Sequence, residues 1–186
     1  MAHEIIVGVS GGIAAYKTAY LVSDLVQSGV GVTVVMTRAA QKFIGAATFQ
    51  ALTGRRVLSH SFDKHDYPLG AHIELARQAD LLCIAPATAN VLAQAACGLA
   101  DDLLSTLLLS FTGPTILAPA MNNEMWEKPA VQRNVARLEK DGFHLVGPNE
   151  GWLSCRVTGK GRMAEPAEIA AKIRELLGPR KLDPAK

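Results

Sequence analysis

The chain has 186 residues, 49% of them apolar and 19% charged, enough for one domain with a full core and too few for two. Its formal charge of +2 comes from scattered lysines and arginines without a basic block or a row of aromatics, which argues against a nucleic-acid partner. The mean hydropathy of +0.16 is high for a lone domain and predicts apolar surface buried between copies of the chain.

Residues 5–9 form the first apolar run, read as a buried strand. It is preceded by Glu4 and followed by Ser10-Gly11-Gly12, the wrong length and flanks for a signal peptide or membrane span, so a cytoplasmic location is expected. Where it turns into a helix predicted over 13–27, Ser10, Gly11, Gly12 and Ile13 form a candidate phosphate cradle, because glycines there let free helix N–H groups face an anion. The loop is not G-x-G-x-x-G, and the next strand, over 30–36, ends in Met36-Thr37-Arg38 without an acidic residue for an adenosine ribose. A mononucleotide such as FMN therefore fits better than a dinucleotide. A glycine turn without a ligand is the alternative.

A helix is predicted over 39–52, and residues 54–70, with His60, His65, a Tyr and a Pro, read as a long functional connection over the surface. His72 follows at the start of a helical turn and is singled out by position, although a lone His is more often structural. The strand at 81–85 closes into Pro86-Ala87-Thr88-Ala89-Asn90, small enough for a flat ligand to approach, with Thr88 and Asn90 able either to meet its polar edges or to cap a helix. A helix over 87–111 is apolar nearly all round and is read as a subunit interface, with a central buried helix as the alternative. Cys83 and Cys97 fall in these apolar stretches and read as small hydrophobes. No C-x-x-C pair accompanies them, so neither a disulfide framework nor a bound metal is expected.

The strand at 115–118 runs into Pro119-Ala120-Met121-Asn122-Asn123-Glu124-Met125-Trp126, rich in amides and thioethers at the strand end where open α/β sheets place ligands. A helix over 129–140, a strand over 143–146 and a helix over 166–177 complete the pattern, the last bounded by Glu165-Pro166 and Gly178-Pro179. Residues 151–163 show neither strand nor helix periodicity. Their glycines suit a flap, and Arg156, Lys160 and Arg162 near Cys155 favour its thiolate, with an incidental loop cysteine as the alternative. Short non-alternating strands between helices predict an α/β fold with a doubly wound, mostly parallel sheet. One domain over 1–178 is expected, with 179–186 as a tail or linker remnant.

Taken in order, His72, residues 85–90, the Met-Asn-Asn-Glu-Met-Trp segment and the Cys155 loop resemble the flavoprotein decarboxylases that act on a cysteine carboxyl group, the phosphopantothenoylcysteine decarboxylases of coenzyme A synthesis above all. The resemblance spans residues 4–177 and implies a flavodoxin- or Rossmann-like three-layer sandwich. It implies FMN held by Ser10, Gly11, Gly12, Ile13, Thr37, Pro86, Ala87, Thr88, Asn90 and Ala120. It makes His72 catalytic, Asn122 the binder of the substrate carboxylate, and Cys155 the acid of a flap lined by Trp152, Ser154 and Met163. The chain departs from the pattern where Thr88 stands for Ser, Val91 for Thr, and Arg156 for Gly.

The implied reaction oxidises the cysteine C–S unit to a thioaldehyde, loses CO₂ into that electron sink, and reduces the resulting enethiol while Cys155 supplies a proton. The resemblance also implies a homotrimer, or trimers arranged as a dodecamer, with FMN near a subunit boundary, and a phosphopantothenate–cysteine ligase as a fused or separate partner. A peptidyl-cysteine decarboxylase is the nearest alternative. A flavin prenyltransferase and a non-catalytic, phosphatase-inhibiting subunit share the fold, and His72, Asn122 and Cys155 argue against both.

Overall fold

A computed structural model describes residues 3–60, 67 and 69–178. Five parallel strands, β1 (Glu4–Val9), β2 (Gly31–Met36), β3 (Leu81–Ala87), β4 (Thr115–Pro119) and β5 (His144–Leu145), form one sheet in the order β2-β1-β3-β4-β5. Alternate residues of each strand enter opposite cores, as period-two side-chain geometry requires. Val7, Val9, Cys83 and Ala85 face one core with α1 (Ala15–Gln27), α2 (Ala46–Thr53) and α8 (Pro166–Leu177). Ile6, Leu82, Ile84 and Leu117 face the other with α3 (Ala71–Gln78), α4 (Ala89–Cys97), α5 (Leu103–Ser110) and α7 (Pro129–Lys140). Every residue of β3 and β4 is buried, so these runs carry no polar alternation. The result is a doubly wound, flavodoxin-like three-layer sandwich, and its order reverses between β1 and β3, where such sheets open a crevice at their carboxyl ends.

The structure corrects several boundaries. The predicted helix 87–111 is two helices, because Gly98 adopts a left-handed φ of 68° and ends α4. Asp102 then caps α5, accepting from the Ser105 N–H at 2.7 Å in a reciprocal capping box. Leu103, Leu104, Leu107 and Leu108 are buried within this chain, so the central-helix alternative accounts for most of their apolar character, while Leu99 and Leu109 stay more than half exposed. The predicted helix 39–52 is a 3₁₀ turn, Ala40–Lys42, followed by α2. Helix α1 starts at Ala15, not at residue 13, and His72 belongs to a full helix, α3.

A short α6 (Asn123–Glu127) follows β4. The segment read as having no periodicity contains an antiparallel hairpin, β6 (Asn149–Trp152) with β7 (Thr158–Arg162). Its strands pair backbone to backbone and bury little, which is why no alternating pattern marks them. Part of the 54–70 connection also pairs, Leu58 bridging Val35; residues 61–66 and 68, with His65, and the tail 179–186 lie outside the described residues. No helix among the described residues is long and apolar enough to cross a membrane.

Candidate active site

A cavity of about 820 Å³ lies at the carboxyl ends of the strands, under the β6–β7 hairpin. Its floor begins at the turn after β1. A Cβ on Gly11 would come within 2.4 Å of the Ala39 Cβ, so the two loops touch only because residue 11 is glycine. A Cβ on Gly12 would meet nothing nearer than 3.7 Å. No side chain caps α1; the Ala15 and Lys17 N–H groups bond the Gly12 and Ala14 carbonyls at 3.0 and 2.9 Å, and the Gly12 and Ile13 N–H groups of the turn before them, which have no hydrogen-bond partner among the described residues, are the donors open to a ligand anion. Ser10 Oγ donates to the Pro86 carbonyl at 2.6 Å and accepts from the Thr88 N–H at 3.2 Å, tying this turn to the end of β3. Thr88 also caps α4, accepting from the Val91 N–H, so the capping alternative holds for Thr88 while Asn90 caps nothing.

Asn122 sits between β4 and α6 and is the cap of α6. Its Oδ1 accepts from the Glu124 and Met125 N–H groups at 2.7 and 3.2 Å. The backbone thereby fixes the amide orientation, and Nδ2 is the group presented outward. It donates to Cys155 Sγ at 3.3 Å.

Cys155 reaches Asn122 from the hairpin tip, where the Arg156 N–H bonds the Leu153 carbonyl at 2.9 Å. Arg156 itself holds a left-handed φ of 67°, the position at which a three-residue hairpin loop prefers glycine. The hairpin is seated by Gly161, whose N–Cα–C unit approaches so closely that a Cβ would lie 2.3 Å from the Met121 carbonyl, and whose own carbonyl accepts from the Met121 N–H at 2.9 Å. Lys160 adds a cation–π contact, 5.8 Å from the Trp126 ring.

Ser10, Gly11, Gly12, Ile13, Thr37, Thr88, Asn90, Ala120, Asn122, Trp152, Ser154, Cys155 and Met163 all line this cavity. Pro86 and Ala87 are buried in β3 and do not, and Pro86 contributes only the carbonyl that holds Ser10. His72 does not line it either. Its Nδ1 is buried over Gly70 without a hydrogen-bond partner. Cys83 is buried as expected, and burial pushes its thiol up to about 12. Cys97 is exposed at the end of α4, contrary to its reading as a packed hydrophobe, because the helix stops at Gly98.

The sequence reading missed Lys17, Gln94, Asp101 and Asp102, which also line the cavity. Lys17 lies one helical turn beyond Ile13, and Gln94 one turn beyond Asn90; that spacing was the available signal. The Lys17 ammonium, almost wholly buried, donates to Glu165 Oε1 at 2.9 Å. That bond, together with the charges of Lys17 and Arg162, holds the Glu165 carboxyl below the usual carboxylate range. Lys17, Arg38 and Arg162 make part of the wall cationic, whereas Asn90, Gln94, Asp101 and Asp102 line a stretch rich in acceptors. Among the described residues no three His, Cys, Asp or Glu side chains group as a metal site.

The arrangement can therefore receive a phosphate at the α1 turn, a flat ligand along the β3 and β4 ends, and a carboxylate at Asn122 beside a thiol. A family model described as Flavoprotein matches residues 1–178. The chain is 47% identical over 166 residues to the coenzyme A biosynthesis bifunctional protein CoaBC of Bacillus subtilis, covering 89% of this chain and 41% of that one. It is 46% identical over 174 residues to the CoaBC protein of Mycobacterium tuberculosis, covering 94% and 41%. It thus spans less than half the length of these relatives. Two solved structures match closely. An FMN-dependent cysteine decarboxylase, SpaF, has a TM-score of 0.81 at 36% identity, covering 94% of this chain and 95% of that one. A cysteine-to-serine variant of a PPC decarboxylase complexed with pantothenoylaminoethenethiol has a TM-score of 0.82 at 30% identity, covering 94% and 98%.

Proposed function

Because the chain belongs to the Flavoprotein family, we propose that it uses FMN to decarboxylate 4′-phosphopantothenoylcysteine to 4′-phosphopantetheine and CO₂, the decarboxylation step of coenzyme A synthesis. The observation that carries this reading is the Asn122–Cys155 contact, a donor-only amide locked by a helix cap beside the thiol of a docked hairpin. The residues present fit FMN: the uncapped turn at Gly11, Gly12 and Ile13 suits its phosphate, and Thr88, Asn90 and Ala120 line the wall beyond.

Bound FMN would supply the two-electron oxidation of the C–S unit and return the pair after CO₂ has left. The chain's own residues do the rest. Asn122 Nδ2 orients the departing carboxylate with a neutral hydrogen bond, which holds it without stabilising the charge as a cation would. The hairpin excludes water, and the Cys155 thiol donates a proton to the enethiol carbon. The enethiol named in the complex of the cysteine-to-serine decarboxylase is the species expected when that proton is withheld.

His72 does not line the cavity of its own chain, so in this reading a neighbouring copy brings its His72 to the site, as in a homotrimer or dodecamer with FMN at the boundary. Exposed Ile13, in the turn before α1, and exposed Tyr16 and Tyr20 on that helix give such packing an apolar motive. A phosphopantothenate–cysteine ligase, implied by the bifunctional relatives, would supply the substrate. The cytoplasm, which keeps a free Cys155 reduced, is the proposed setting.

The similarity to SpaF favours a second reading, a different cysteine-bearing substrate on the same flavin. One experiment separates them. The purified chain should be yellow, should release FMN on denaturation, and should convert phosphopantothenoylcysteine to phosphopantetheine by mass spectrometry; turnover of a peptide ending in cysteine alone would replace the first substrate with the second.

A further inference from the structure

Along one wall of the cavity a run of hydrogen bonds has a direction fixed at one end. Asp101 Oδ1 lies 2.6 Å from Gln94 Nε2, and an ionised carboxylate can only accept, so the Gln94 amide must turn its NH₂ toward Asp101. Its carbonyl then faces the other way and accepts from Asn90 Nδ2 at 3.2 Å. Asn90 thereby turns its NH₂ toward Gln94, one of the two N–H groups being used there, and its Oδ1 faces the other way without a partner among the described residues. Gln94 is only 8% exposed, so reversing either amide would set NH₂ against NH₂ or leave a buried group unmatched. Asp101 immediately precedes Asp102, the cap of α5, whose Oδ1 lies 2.8 Å from the Ser105 hydroxyl, so the capped start of the helix fixes the backbone that carries the Asp101 carboxylate.

We propose that Asp101, acting through Gln94, fixes Asn90 as a hydrogen-bond acceptor in the cavity wall, and that Asn90 Oδ1 reads the N–H of the flavin ring. Oxidised isoalloxazine carries one ring N–H, at N3, between two carbonyls. An Asn free to rotate could offer NH₂ there and would meet that N–H with another donor. Asp101 and Gln94 are positioning residues, and the inference rests on the FMN reading above.

The test is a comparison of two flavins on the full chain stripped of cofactor, with affinity read by quenching of flavin fluorescence. The probes are FMN and FMN methylated at N3. The wild-type chain should prefer FMN by about tenfold or more, the worth of one well-placed hydrogen bond and the cost of losing it. Asn90→Ala should abolish that preference. Gln94→Leu and the isosteric Asp101→Asn, whose new amide can donate as well as accept, should each weaken FMN at least threefold and leave the methylated flavin unchanged.

Full preference retained in both Gln94→Leu and Asp101→Asn would overturn the relay. So would an equal loss for both flavins, which marks a merely supporting wall. If the wild-type chain binds neither flavin, the cofactor reading itself falls; if it binds FMN without this coupling, only the relay does.

Discussion

At residue scale, the site depends on which atom of each side chain the backbone leaves free. Asn122 is the clearest case. Asp is as good a helix cap as Asn, so Asn122→Asp should fold normally and still cap α6 through Oδ1. It would lose the Nδ2 donor and set one carboxylate against another. Turnover (kcat/KM) is expected to fall by about a hundredfold or more with FMN affinity unchanged, measured by steady-state kinetics and flavin titration. Cys155→Ser separates the two halves of the reaction, since a hydroxyl is a far weaker acid than a thiol. Carbon dioxide should still be released, while the product accumulates as an enethiol about two mass units lighter than phosphopantetheine, the two hydrogens of the missing reduction. Normal product at the wild-type rate would make Cys155 an ordinary loop residue.

The decisive element is the β6–β7 hairpin, which carries Cys155 across the cavity to Asn122. Its docking relies on glycines that let two backbones touch. At Gly161, with a φ of 153° and no room for a Cβ against the Met121 carbonyl, Gly161→Ala should push the flap off the β4–α6 segment. The expected outcome is a loss of turnover with FMN binding retained and faster hydrogen exchange confined to β6, β7 and the turn between them. Unaltered exchange there would show that the contact does not hold the hairpin. The amphipathic helices were legible because they bury one face, and α7 and α8 match their predicted limits. The hairpin was not, because its order comes from contacts with Asn123 and Met121, far from it in sequence. The break between α4 and α5 was visible only in Gly98 and Asp102, two terminus signals outweighed by a long apolar run.

For the whole molecule, the site of a single chain lacks His72. If a neighbour supplies it, His72→Asn and Asn122→Asp, each strongly impaired alone, should regain partial activity when denatured together and refolded as a mixture, because some interfaces then combine an intact His72 with an intact Asn122. No recovery in oligomers shown by sedimentation to be mixed would place both residues in the same chain's site. The sequence by itself determined the fold class, the glycine turn that lines the cavity and the identity of the Asn and Cys that meet over it, because buried strands, helix starts and an unusual strand-end segment are local signals. Only the tertiary structure decided that Asn122 presents a donor, that Pro86 and Ala87 lie behind the wall, that Lys17 is pinned by Glu165, and that Asp101 sets the direction of Gln94 and Asn90. Those facts follow from partners distant in sequence or from which lone pair a cap has already taken, and neither is written in residue type or spacing.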